Sequence, residues 1–514
     1  MTQAHERTGS SAPVASPAGA IRGSSLLLVG RLVAIASAIL VQVLVVRYLS
    51  QAAFGAFSYC IAVVSLLTVV VSLGMEQTMS RFAAVYDERG DRARLAGALL
   101  FYLGVVTVLG VVTVVATVLG RDELTRLVVH DRQTAELLAV IVVLAPLQAL
   151  DTLGSTLFAV HGRPVAIFWR RYVISPALRI VVVAVTLAAH APVTVLGAGY
   201  VLATLIGLLI YLPQLWRLLR SRGVIARGLT PVMPVRELML FTGSAVAADL
   251  LAIVLFASDA VIVGWLSGPT GVALLQAAAP IANGNLVIFY AVIPLFLPMA
   301  SRLFTSGARA RAEELYATCS LWVAVCTFPV AALTVACAGP LATTLFGHRY
   351  AAAGPILAVM AAGQYLLAVF GLGGLTLKAH GLLRNLAVAN VAATVLNVVG
   401  NVLLVRLLGP LGAAIGTTGC IALLSLAKCL IVRHDLGMWP VDRRLGTALV
   451  RAGGLMVLVL GANLVLTPHL VVDLALVAVA SLVLLWTSRR DLRVLEVFPE
   501  LGRVRATAAV FEVR

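Results

Sequence analysis

The stretch "LLAVIVVLAPLQALDTLGSTLFAVHGR", residues 137–163, aligns without a gap onto "ILAVMAAGQYLLAVFGLGGLTLKAHGL", residues 356–382. The alignment matches Ala139 with Ala358, Val140 with Val359, Gly154 with Gly373, His161 with His380 and Gly162 with Gly381. Weaker echoes keep a similar spacing: "YLSQAAFG" ending at Gly55 pairs with "WLSGPTG" ending at Gly271, and "MSRF" around Arg81 with "ASRLF" around Arg302. Self-similarity of this kind marks an internal duplication.

Each copy is apolar over a length that crosses a bilayer, and the rest of the chain reads the same way. Hydrophobic residues make up 61% of the 514 and charged ones 12%, with a mean hydropathy of +1.03. No soluble core requires that composition. At about 20 apolar residues per crossing, the chain reads as an all-α integral membrane protein of about 14 transmembrane helices. The expected spans start near residues 24, 54, 95, 136, 166, 193, 238, 272, 316, 355, 386, 411, 446 and 470. Spans 1–6 then duplicate spans 7–12. An even number of crossings per copy makes the repeat parallel, with two lobes related by an axis along the membrane normal.

The expected organisation is a disordered tail (1–22), an N-terminal lobe (23–216), a basic linker (217–237) and a C-terminal lobe (238–435). A helix pair (436–488) and a basic tail (489–514) follow. The tail at the start is not a signal peptide, because the apolar stretch behind it is too long and no cleavage site precedes a soluble domain. With the N-terminus cytoplasmic, roughly 30 of the 38 basic residues fall on inside loops and about six outside, the distribution that orients membrane proteins. Arg81, Arg89, Arg92 and Arg94, and later Arg217, Arg220 and Arg222, carry it. Both termini are therefore expected in the cytoplasm, with the spans in the plasma membrane. The net charge of +16 is explained by topology and anionic headgroups, and it does not call for nucleic acid. The six cysteines have no metal spacing and read as small packing residues.

Four segments resemble the multidrug/oligosaccharidyl-lipid/polysaccharide (MOP) exporter superfamily, and within it the polysaccharide-transport, Wzx-like flippases of O-antigen and lipopolysaccharide assembly. They are "VVRYLSQAAFGAFSYCIAV" (45–63), "SDAVIVGWLSGPTGVALLQAA" (258–278), "TLFGHRYAAAGPIL" (344–357) and "LNVVGNVLLVRLLGPLGAAIGTTG" (396–419). The resemblance implies a fold like that of MATE transporters and MurJ. It also implies alternating access of two lobes that moves an undecaprenyl-diphosphate-linked oligosaccharide across the membrane. The partners it implies are that polyprenyl-linked glycan, membrane lipids and other polysaccharide-assembly membrane proteins.

Charged and amide residues inside the spans are the candidate site. Arg31, Arg179, Arg170 and Arg171 are read as a cationic path, because a diphosphate crossing hydrocarbon needs donors and a guanidinium fork matches phosphate oxygens. Snorkelling is the competing reading for Arg170 and Arg171. Asp249 and Asp151 are candidates for proton or Na⁺ coupling, set against a structural ion pair with a deep arginine. Asp259, near the end of span 7, is read as architectural. Asn397 and Asn401 share one face of span 11 and need partners on another helix, as interhelical amides or as cavity lining. Asn283, Asn285, Tyr290, Gln364 and Tyr365 are further lining candidates. His161 and His380, at equivalent repeat positions, read as duplicated loop residues.

No cofactor is called for. The longest outside loop, "RDELTRLVVHDRQTA" (121–135), is too small for a polymerase or glycosyltransferase centre, and the sequence has no phosphate-binding P-loop or zinc motif. The chain is therefore expected not to be an enzyme. A multidrug antiporter and a lipid II flippase stay open as alternatives, the former disfavoured by deep arginines where organic cations need acids.

Overall fold

The computed structural model describes residues 17–124, 131–226, 228–465 and 470–492, and leaves aside the side chains of 17–29, 31, 32, 124, 244–256, 383, 464, 465 and 470. The expected tail as far as residue 16, the chain beyond 492, and the side chains of Arg31 and Asp249 lie outside the described residues.

The described chain is helical. In order it forms α1 (Pro17–Tyr48), α2 (Gln51–Ser72), α3 (Glu76–Glu88), α4 (Arg92–Leu119), α5 (Arg121–Leu124), α6 (Arg132–Ile141) and α7 (Leu144–Val160). There follow α8 (Pro164–Ile167), a π-helical turn (Phe168–Ile174), α9 (Ser175–Ala188), α10 (Val193–Ser221), α11 (Val235–Asn283) and α12 (Val287–Thr305). The rest comprises α13 (Arg309–Ala336), α14 (Ala338–Phe346), α15 (Ala353–Phe370), α16 (Leu372–His380), α17 (Leu383–Leu408), α18 (Pro410–Leu436), α19 (Arg443–Val465) and α20 (Leu470–Leu492). The first helix thus begins at Pro17, inside the stretch expected to be tail.

Twelve of these stretches are long and apolar enough to cross a membrane. Against about 14 expected from segment length, the differences fall at two places. Among the described side chains, the 32-residue α1 contributes only Val33–Tyr48, and the α11–α12 region contributes the single stretch Ala257–Thr305, which begins directly after the undescribed side chains 244–256. That stretch is broken at Gly268, whose backbone (φ 72°, ψ −177°) is non-helical and open to glycine without strain. Pro269 follows it and starts the second arm.

Large apolar side chains cover the outside of the bundle. Val108, Val111, Val112 and Val115 on α4, Leu403 and Leu407 on α17, and Val457 and Leu458 on α19 are all exposed. Monomeric soluble proteins rarely expose apolar patches of that extent, whereas lipid tails solvate them. The chain is a multi-pass membrane protein.

Local chemistry sets the helix ends. Ser50 accepts a hydrogen bond from the Ala53 amide and starts α2, Asp91 does the same for Arg94 and α4, and Asp131 for Gln133 and Thr134 and α6. At the expected Gly-Pro turn, α17 stops at Leu408 and Pro410 opens α18, where its missing N–H costs nothing. The α17–α18 hairpin is tight because small residues line it. A side chain at Gly412 would collide with the Leu404 carbonyl, and one at Gly416 with the Asn401 amide. The two copies of the repeat end alike: His161 closes α7 and His380 closes α16, each followed by a glycine with positive φ. His161 lies 3.6 Å from Asp87 at the end of α3, and His380 packs edge-on against Phe304 at the end of α12.

Candidate functional site

Two cavities of similar size adjoin along α1 and α11. One, of about 640 Å³, is walled by α1, α11, α12, α15, α17 and α18; its polar lining includes Asp259, Asn283, Tyr290, Gln364, Asn390 and Lys428. The other, of about 650 Å³, lies in the N-terminal half and is lined by Gln42, Gln148, Arg179 and Tyr200 among others. Gln276 and Pro280 contribute to both walls. Gln42 Nε2 donates to the Gln276 carbonyl at 2.9 Å, which ties α1 to α11 between the cavities.

Among the described residues Arg179 is the charged one on the wall of the N-terminal cavity, with its guanidinium 5.7 Å from the Tyr200 ring centroid. A cation over an aromatic face keeps its charge available while the ring replaces part of its hydration. Arg170 is placed differently. It is buried, its Nη2 lies 2.7 Å from Asp151 Oδ1, and it rests on α10 where Gly207 leaves room for the guanidinium. Among the described residues Asp151 therefore pairs with Arg170 rather than with Arg179. Arg171, beside it in the π-helical turn, is exposed.

Asn397 and Asn401 lie off both cavity walls, buried behind Asp259. Asn401 Nδ2 donates to Asp259 Oδ1 at 2.6 Å, Thr417 Oγ1 donates to Asp259 Oδ2 at 2.7 Å, and Asn397 Nδ2 donates to Thr417 Oγ1 at 2.9 Å. Ser258 Oγ donates to Asn397 Oδ1 at 3.4 Å. The amides of α17 thus find their partners on α11 and α18. Among the described residues no basic side chain pairs with Asp259, and Asn401 Oδ1 is buried without a partner. The Asp259 carboxylate is thus met by an N–H of Asn401 and the O–H of Thr417, neutral donors on α17 and α18 that hold its charge without a basic partner.

The remaining candidates separate cleanly. Asn283, Tyr290 and Gln364 line the C-terminal cavity. Asn285 is fully buried and donates to Thr334 Oγ1 at 3.1 Å, and Tyr365 donates to the Ala324 carbonyl at 3.1 Å, so both are helix contacts. Sequence reasoning missed Asn390, Gln148 and Lys428. Lys428 had a visible signal, since lysine is so rare in this chain.

The bundle has the architecture of the MOP superfamily transporters. A solved structure of the lipid II flippase MurJ in an inward closed conformation matches with TM-score 0.71 at 12% identity, over 92% of this chain and 99% of that one. An inward-facing multidrug resistance MATE family transporter matches with TM-score 0.64 at 16% identity, over 78% and 94%. A MOP superfamily transporter from Pyrococcus furiosus, described for the reverse polarity of its binding pocket, matches with TM-score 0.55 at 17% identity, over 82% and 95%. No curated protein sequence matches significantly. The model of the family described as "Polysaccharide biosynthesis protein" matches residues 20–304, more than half of the chain, and the chain belongs to that family.

Proposed function

We propose that this protein is a flippase that carries an undecaprenyl-diphosphate-linked oligosaccharide across the plasma membrane for cell-envelope polysaccharide synthesis, of the O-antigen or a related type. Family membership joined to an N-terminal cavity in which Arg179 is the one charged lining residue among those described carries this reading. A diphosphate moving through hydrocarbon needs a cation with directed donors, and a guanidinium supplies both. The alternative multidrug reading fits less well, because organic cations favour an acidic wall. A lipid II flippase would differ in the sugar and not in the charge chemistry. The protein acts as a transporter, not an enzyme, and works beside the membrane proteins that build and polymerise the glycan.

In this reading residues 23–216 and 238–435 are two lobes related by a membrane-normal axis, 217–237 links them on the cytoplasmic side, and the pair within 436–488 is peripheral. Both termini face the cytoplasm. Exchange of the two lobes between inward-open and outward-open states exposes the cavities to each leaflet in turn. Coupling to Na⁺ or protons falls to Asp259 with Asn397, Asn401 and Thr417, rather than to Asp151, which Arg170 neutralises. A cation held there would be released when α11 moves against α17 and α18, linking ion binding to the lobe equilibrium.

The deciding experiment is deletion of the gene with mass-spectrometric profiling of undecaprenyl-linked intermediates. Complete lipid-linked repeat units accumulating in the cytoplasmic leaflet, with surface polymer lost, support the flippase. Unchanged glycans with altered sensitivity to cationic drugs overturn it in favour of the antiporter.

A further inference from the structure

Lys378 and Lys428 are the two lysines of the chain, and the fold brings them to one place. The Lys428 stem on α18 runs along α16 over Gly373 and Gly374, with Nζ 3.6 Å from the position a Gly374 Cβ would take. Lys378 follows Gly374 by four residues, one turn along the same face of α16, and its charge bears on Lys428. Among the described residues no acidic side chain answers Lys428. Asp259 is remote: it is held by Thr417, which lies eleven residues back along α18, about 16 Å at helical rise. Snorkelling does not account for the placement either. Lys428 is eight residues inside the α18 end, and its side chain lines the cavity wall rather than reaching outward.

Lys378 is exposed near the end of α16, and Lys428 lines the cavity; a charge on a cavity wall within a membrane bundle, with a second like charge nearby, is costly unless an anion meets it. An ammonium also differs from the guanidinium this chain otherwise prefers. It is a compact point charge with three rotatable donors, able to follow a phosphate group as it moves and to let it go. The neighbouring lining groups Asn283, Asn390 and Gln364 are neutral and oxygen-seeking, as an oxygen-rich ligand requires.

We propose that Lys428, flanked by Lys378, is a phosphate-binding site of the C-terminal cavity, separate from Arg179, which takes the diphosphate of the lipid-linked substrate. This rests on the flippase reading above. Each half of the protein then offers the head group one cationic station, Arg179 in one cavity and Lys428 in the other.

The test is binding of undecaprenyl diphosphate to the full-length protein in phosphatidylcholine nanodiscs, with inorganic pyrophosphate as competitor. Lys428→Gln is expected to weaken binding about tenfold or more and Lys428→Arg less than about threefold, with Lys378→Gln in between. In the ligand-free protein, Lys428→Gln is expected to leave the melting temperature unchanged or raise it, because an unanswered charge is removed. Wild-type affinity in Lys428→Gln overturns this site while leaving the flippase reading intact. Weaker binding joined to a lowered ligand-free melting temperature makes Lys428 structural and also overturns it. If phosphatidylglycerol in the nanodisc displaces the probe as well as pyrophosphate does, the site belongs to phospholipid headgroups and the substrate assignment falls. Failure of the wild type to bind the probe at all sinks both readings together.

Discussion

Arg47 and Arg349 cap each other's helices across the two halves of the chain. Arg47, in the last turn of α1, donates from Nε to the Leu345 carbonyl at 2.8 Å and from Nη2 to the Thr344 carbonyl at 2.5 Å, at the end of α14. Arg349, just beyond α14, donates back to the carbonyls of Val46 and Arg47. A guanidinium at a helix C-terminus meets unpaired carbonyls and the negative end of the helix dipole together. The pair is a latch between the halves, and both side chains are exposed, so each contact contributes only about 0.3–1 kcal/mol.

A latch of that strength shifts populations without holding the fold together. The Arg47→Ala/Arg349→Ala double variant is expected to keep its melting temperature within a few degrees while broadening and lengthening the distance between spin labels at Ser50 and His348. A distance distribution unchanged from wild type means the latch does not govern separation of the halves.

Arg170 and Asp151 should behave as a structural pair. Arg170→Ala leaves a half-buried carboxylate unanswered and is expected to destabilise the protein by roughly 2–4 kcal/mol, with Arg170→Ala/Asp151→Ala recovering much of the loss. Flipping by the double variant near the wild-type rate would place Arg170 outside the transport path. A rate as low as that of Arg179→Ala would put it back.

Arg179→Ala is expected to reduce flipping of a fluorescent polyprenyl-diphosphate glycan at least about tenfold, with insertion intact, since charge-assisted hydrogen bonds contribute roughly 1.5–3 kcal/mol. Arg179→Lys retains the charge but loses the fork and should fall between. Equal rates in all three proteins would remove Arg179 from the path.

Asp259→Asn keeps the shape of the buried network and deletes its charge. In the wild type, NaCl in place of choline chloride is expected to raise the melting temperature by mass action on the folded state, and the variant should lose that rise. Persistence of the rise in Asp259→Asn would place the cation elsewhere. A wild type indifferent to Na⁺ whose flipping still follows an imposed pH gradient would mark the proton as the coupling ion.

Gly416→Val is expected to destabilise by about 1–3 kcal/mol, as overpacking commonly does, and to lower Na⁺ sensitivity with it, because the added methyls displace Asn401 from Asp259. A melting curve like that of the wild type would show that α17 and α18 have slack the structure does not suggest.

Much of the architecture was legible because bilayers impose one-dimensional rules. A helix must be apolar for about 20 residues to cross, and the duplication around His161 and His380 survives as a pattern along the chain. The Gly-Pro turn at 409–410 and the break at Gly268–Pro269 could be anticipated for the same reason: local backbone chemistry decides them. The partners of the charged groups could not. Asp259 and Asn401 stand 142 residues apart, and nothing in either neighbourhood names the other. The same gap hides from the sequence the pairing of Asp151 with Arg170, 19 residues on, and the cavity that Lys428 lines.

The sequence by itself determined the membrane class, the helical fold, the repeat and the family, because hydrophobic length, helix punctuation and self-similarity are all written along the chain. Only the tertiary structure decided which charges are spent on one another and which face a cavity. The energy of a charge in hydrocarbon depends on what lies within a few ångströms of it, and those neighbours come from distant helices packed side by side.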